Sequence, residues 1–165
     1  MKFIGRFYFV SSHGRVLQAH TDGEMHAGQE VQNIGLEEKW NVFVWPDGKV
    51  SLQNLRTNRW LCAEPSGRAV CDRAQPESCE KWTLHRVNNH VAFLSAHNRW
   101  LCAQGPGEDT VYGGEVIADR TVCAEFEQFS MIPIDGTQEI DETWWDSVKS
   151  ADVAKNIVLA VGSLA

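Results

Sequence analysis

The chain has 165 residues, with 22 acidic against 15 lysine and arginine side chains, a net charge of −7 and 43% apolar residues. That size fits one domain with a modest extension and buries a core without help from metals or disulfides. The acid excess argues against nucleic acid as a partner, because phosphate binding needs a concentrated basic surface. No apolar run approaches the ~20 residues of a membrane-spanning helix.

At the start, Arg6 interrupts Met1-Lys2-Phe3-Ile4-Gly5 before a leader's apolar core could form, so no signal peptide is expected. Phe7-Tyr8-Phe9 alternates with period two, the mark of a strand with one buried face. His13-Gly14 is a turn signal, and Arg15-Val16-Leu17-Gln18-Ala19 reads as a second strand. Asp22-Gly23 marks another turn, and Glu38-Lys39-Trp40-Asn41-Val42 closes the unit as an acid–polar–aromatic–polar–aliphatic strand.

This unit is then written twice more. Val50-Ser51-Leu52 and Val91-Ala92-Phe93 open the copies, and Thr57-Asn58 and His97-Asn98 give the turns. Arg59-Trp60-Leu61-Cys62-Ala63 and Arg99-Trp100-Leu101-Cys102-Ala103 follow as second strands. Ser66-Gly67 and Pro106-Gly107 turn the chain, with third strands at Ala69-Val70-Cys71 and Val116-Ile117-Ala118. Glu80-Lys81-Trp82-Thr83-Leu84 and Glu127-Gln128-Phe129-Ser130-Met131 close the copies, which lie roughly 40 to 47 residues apart. Three repeats result, at 3–45, 46–87 and 88–134. A four-stranded unit cannot bury its apolar face alone, so three must close about a shared axis. The expected fold is all-β: a β-trefoil of about twelve strands, a six-stranded barrel capped by three hairpins.

The third repeat carries an acidic, glycine-rich insertion from Gly105 to Gly114, read as a long surface hairpin because no strand-to-helix context accompanies it. Residues 135–165 form an acidic linker and tail, with six acids against Lys149 and Lys155. Thr143 is a candidate cap for a helix through Trp144 and Trp145. The run Ile157-Val158-Leu159-Ala160-Val161 must bury itself, either on the trefoil or against a further domain after Ala165, and the second reading is the favoured one.

The candidate chemistry is thin. Five cysteines (62, 71, 79, 102 and 123) with no C-x-x-C spacing argue against both a disulfide framework and zinc, and fit reduced thiols in the cytoplasm. The six histidines show no metal-ligand spacing, and His13 and His97 share a turn position that is expected to be exposed. No nucleophile elbow is present. The repeated Glu38, Glu80 and Glu127 are expected to anchor strand ends through backbone amides, since one catalytic acid per repeat would be odd. The expectation is therefore a non-enzyme with no cofactor and no metal. The best candidate binding residues are the turn groups His13, Arg15, Asn58, Arg59, His97, Asn98 and Arg99, which put basic tips on an acidic molecule. Trp60 and Trp100 either seal the structure or offer an exposed face for a sugar ring.

Val91 through Ala103, Phe7 through Ala19 and Val50 through Ala63 resemble the repeat of fascin-like β-trefoils, as do Cys71-Asp72-Arg73 and Ala118-Asp119-Arg120. The similarity covers about residues 3–134. It implies an intracellular binding module, with actin or the cytoskeleton as the first expected partner. A glycan-binding, lectin-type trefoil and an accessory targeting domain of a larger protein are the alternatives. The ricin-type glutamine-x-tryptophan signature is replaced here by Glu-x-Trp or Glu-x-Phe, which counts against a ricin-type sugar site.

Overall fold

A computed structural model describes residues 1–105, 114–134, 144–145 and 148. Among the described residues, twelve strands follow one another in three sets of four. The first set is β1 (Lys2–Ser11), β2 (Arg15–Ala19), β3 (Met25–Glu30) and β4 (Trp40–Val44). The second is β5 (Val50–Asn54), β6 (Trp60–Ala63), β7 (Ala69–Arg73) and β8 (Thr83–Val87). The third is β9 (His90–Leu94), β10 (Trp100–Ala103), β11 (Gly114–Arg120) and β12 (Phe129–Pro133).

The first and fourth strands of each set build a closed six-stranded barrel. β1 pairs with β12 and β4, β4 with β5, β8 with β9, and β9 with β12, all antiparallel. The remaining seam, between β5 and β8, is held at Val50 and Trp82, whose backbone amides and carbonyls exchange two hydrogen bonds of 2.8 Å. Closure removes the free edges that an open sheet would expose. The middle strands form three hairpins, β2–β3, β6–β7 and β10–β11, that cap one end. This is the β-trefoil expected from the repeats.

The core sits where the repeats coincide. Trp40, Trp82 and Phe129 are wholly buried, with Phe7, Phe9, Leu52, Val91 and Phe93 around them. Phe9 meets Phe93 edge-on with ring centroids 5.3 Å apart, and Phe93 lies 5.9 Å from Phe129. β1 alternates buried and accessible residues as its sequence predicts, but Ser51 and Ala92, on the opposite face of β5 and β9, are buried as well. Ser51 Oγ accepts the Trp45 indole N–H at 2.7 Å and donates to the Glu80 carbonyl at 2.8 Å, so a small polar residue is satisfied beneath a lid. Ala92 packs in a side cluster with Trp100, Val87 and Cys123.

Each closing strand is preceded by a single 3₁₀ turn (Leu36–Glu38, Ser78–Glu80, Glu125–Glu127) whose last residue is the repeated glutamate. All three glutamates are buried, and each carboxylate takes a hydrogen bond from the backbone at the turn's start, at Gly35, Glu77 and Ala124. At Glu80 the bond from the Glu77 N–H is 3.2 Å and completes a capping box. The anchoring role expected of these acids is what the fold assigns them.

Beyond the barrel, Trp144, Trp145 and Val148 lie against the core, and the Arg86 guanidinium donates to the Val148 carbonyl at 2.9 Å. Trp144 and Trp145 are helical. The candidate cap Thr143, the insertion at 106–113 and the apolar run 157–161 fall outside the described residues.

Candidate binding site on the pseudo-threefold axis

The turn residues singled out by sequence occupy three equivalent places. Gly14, Asn58 and Asn98 hold the matching position with φ of 74°, 59° and 59°, the left-handed backbone that glycine and asparagine tolerate best. Arg15 Nη1 donates to the Gly28 carbonyl at 3.1 Å and pairs with Glu30 at 3.3 Å. The amides of Arg59 and Arg99 bond Thr57 Oγ1 at 3.2 Å and Ser95 Oγ at 3.4 Å. Among the described residues, no hydrogen bond, ion pair or ring contact joins one of these turns to another.

His13 and His97 differ from the exposed turn residues expected of them. Both are half-buried, because each turn folds over the preceding repeat. His97 Nε2 lies 3.1 Å from the Ala63 carbonyl and 3.8 Å from Cys79 Sγ, while the His13 ring packs 4.5 Å from Phe126. Trp60 and Trp100 are buried too, against Phe43 at 5.3 Å and His85 at 5.3 Å, so neither offers a stacking face. Four of the five thiols are poor nucleophiles: burial pushes Cys62, Cys71 and Cys123 up to about 12 and raises Cys102. Among the described residues no three metal-ligating side chains come together.

The site that closure creates lies where the three hairpins meet. Glu24 bridges Val70, Arg68 bridges Ile117 and Glu115 pairs with His26, so each hairpin hands one residue to the next around a triangle. Two further bonds repeat that handover: the Cys71 amide to the Gly23 carbonyl at 2.8 Å, and Ala118 to Gly67 at 2.7 Å. Met25, Ala69 and Val116, one from each hairpin, floor the resulting pocket of about 430 Å³. The ring of equivalent residues above them reads Glu24, Arg68 and Glu115, with His26, Ser66, Ile117 and Asp119 beside it. The volume falls in the ~300–1,000 Å³ range of small-molecule sites, and an apolar floor under a few convergent polar groups is their usual chemistry.

The electrostatics of the ring are uneven. Arg68 lies 3.4 Å from Glu64 and 4.0 Å from Glu24, and its side chain is 57% exposed. Asp119 lies 3.6 Å from the Arg120 guanidinium. His26 Nε2 is 3.6 Å from Glu24, yet burial first and the neighbouring His20 second push its imidazole below the ordinary 6.5, against the pull of Glu24 and Asp22. His26 is therefore neutral at pH 7. The pocket thus presents carboxylate acceptors and guanidinium and hydroxyl donors at once. A second hollow of about 340 Å³, between Lys2, Ile4, Val44, Trp45 and Trp144, is lined mainly by apolar groups, and it offers a hydroxyl-rich ligand far fewer partners.

No protein-family model and no curated protein matches the chain. Solved structures do. The designed threefold-symmetric protein ThreeFoil is 17% identical with a TM-score of 0.64, covering 79% of this chain and 99% of its own. A chain of the cytolethal distending toxin from Actinobacillus actinomycetemcomitans is 14% identical with a TM-score of 0.68, covering 81% of this chain and 95% of its own. SeviL, bound to asialo-GM1 saccharide, is 15% identical with a TM-score of 0.61, covering 80% of this chain and 99% of its own. At these identities the likeness is one of fold. The chain has a β-trefoil fold, and the fascin resemblance gains no counterpart among these neighbours.

Proposed function

We propose that this trefoil is a non-catalytic glycan-binding module whose site is the axial pocket between the hairpins. The observation that carries the reading is the pocket itself. It is a concave space built by three hairpins, with mixed donors and acceptors above an apolar floor of Met25, Ala69 and Val116 that is continuous with the hydrophobic core. Hydroxyl-rich ligands suit such a lining, since every sugar hydroxyl both donates and accepts. SeviL's complex with asialo-GM1 saccharide supports the use of this fold for glycans. Fold alone fixes no ligand, so the argument rests on the pocket's chemistry. The high thiol pKa values support a binding rather than a catalytic role. Actin, first among the expected partners, has no such support, and the acid excess of the chain opposes an acidic filament.

The test is a glycan array read with the wild-type chain and with Ser66→Trp, which places an indole at the rim of the pocket without touching the barrel. Wild type should bind a restricted set of glycans, and Ser66→Trp should lose that binding while keeping its far-ultraviolet circular dichroism. Binding that survives Ser66→Trp unchanged would move the site elsewhere, and an array without signal would end the reading.

A further inference from the structure

The three ring positions are equivalent by fold but not by charge, and that asymmetry specifies the ligand more closely. Resting on the glycan reading above, we infer that the axial pocket selects glycans carrying a free amino group over their N-acetylated counterparts, and rejects sialylated or sulfated ones. Three carboxylates line the pocket, from Glu24, Glu115 and Asp119, against one guanidinium, from Arg68. Arg68 is already engaged by Glu24 and, from outside the pocket, by Glu64. Arg120 lies beside Asp119, outside the lining. The remaining titratable group that faces the space, His26, is uncharged at neutral pH.

Among the described residues the cavity therefore holds an excess of negative charge, and Glu115 is the lining carboxylate for which no ion pair is formed, whereas Glu24 lies near Arg68 and Asp119 near Arg120. Glu115 sits on β11 at the pairing with His26, so its backbone is fixed by a sheet rather than by a loop. An ammonium group entering the ring meets up to three carboxylates within one cavity. A sialic acid carboxylate or a sulfate meets the same field with the opposite sign, and only Arg68 to receive it. Both effects operate near the surface, so they are moderate in size and fade with salt.

Isothermal titration with glucosamine oligomers and N-acetylglucosamine oligomers of equal length separates the possibilities, because the two differ in charge at the nitrogen of each sugar residue. The amino form should bind roughly ten-fold tighter at low ionic strength, and the preference should shrink toward parity at about 0.5 M salt. Glu115→Gln should bring the ratio of the two affinities toward parity, a change of preference that a general loss of binding would not produce. Arg68→Gln should widen the preference. Equal or tighter binding of the N-acetylated form by wild type, or a preference untouched by Glu115→Gln, overturns the inference and leaves glycan binding standing. If neither oligomer binds and the array shows only sialylated or sulfated ligands, the inference falls alone. If neither oligomer binds and the array is silent, it falls together with the reading beneath it.

Discussion

Trp40 donates its indole N–H to the carbonyl oxygen of Leu17 at 3.1 Å, across the junction between barrel and hairpin. Trp82 repeats the bond to Leu61 at 3.2 Å, and Phe129 holds the third place with a ring that has nothing to donate. The bond links the closing strand of each repeat to the inward leucine of its hairpin, so it sets hairpin tilt as well as core volume. Trp82→Phe leaves the Leu61 carbonyl without this partner and opens a small cavity. It should cost about 2 to 4 kcal/mol, read as a lower urea midpoint at unchanged slope. A loss under about 0.5 kcal/mol would mean that neither the bond nor the filled volume matters there.

Gly67 and Gly48 make a matched pair for a second test. Both have positive φ, 95° and 89°, but a Cβ on Gly67 would lie 2.5 Å from Asp119 Cβ, whereas one on Gly48 would meet nothing within 4 Å. Gly48→Ala should therefore cost only the left-handed backbone term, about 1 to 2 kcal/mol. Gly67→Ala adds a clash where one hairpin rests on the next, and should cost about 3 kcal/mol or more. Thermal melts of the two variants check the order, and equal losses would show that the hairpins are free to part.

Much of this architecture was legible because the residues that close a trefoil are large, apolar and periodic. The Glu-x-aromatic motif marks the core triad directly, and Leu17, Leu61 and Leu101 mark the hairpins. β3 was not legible: Met25-His26-Ala27-Gly28-Gln29-Glu30 has little β propensity, and it is a strand because β2 and β11 pair with it on either side. The axial ring was hidden for a related reason. Glu24, Arg68 and Glu115 do not repeat one residue type, the second copy being an arginine between two glutamates, and they are brought together only by closure over more than 40 residues of chain. Exposure at His13 and His97 was misjudged because a turn in sequence says nothing of the neighbouring repeat it folds onto.

The repeated glutamates impose a pH dependence. Burial raises the Glu127 carboxyl above the ordinary 4.5, against the hydrogen bond at Ala124 and the nearby Arg120. Oε2 of Glu127 is buried without a hydrogen-bond partner among the described residues. Below about pH 4.5 folded and unfolded chains both hold the proton, and the cost of burying the charge is absent. As pH rises through the raised value, the folded state alone must hold a desolvated carboxylate, so this contribution to stability is lost. His26 acts the other way, its lowered value making stability rise toward pH 6.5, so the wild-type curve mixes both trends. Comparison with Glu127→Gln isolates the first: the stability difference should move in the variant's favour between pH 4.5 and 7. Parallel curves for the two chains in urea would contradict it.

Thiol labelling reads the packing of the five cysteines separately. Cys62, Cys71, Cys102 and Cys123 are buried, and burial raises each of their pKa values. Cys79 alone is half-buried, in the 3₁₀ turn ahead of β8, with the His97 imidazole 3.8 Å away. Because the thiolate is the reacting form, an aromatic disulfide reagent at pH 8 should modify one thiol quickly in the native chain. The other four should react only as fast as the barrel or its hairpins open, a rate set by stability rather than by reagent. Cys79→Ser should abolish the fast phase and leave the slow ones intact. Two or more fast equivalents in wild type would place a second thiol at the surface. Since Cys62 and Cys102 hold the same hairpin position, that result would also show which repeat opens first.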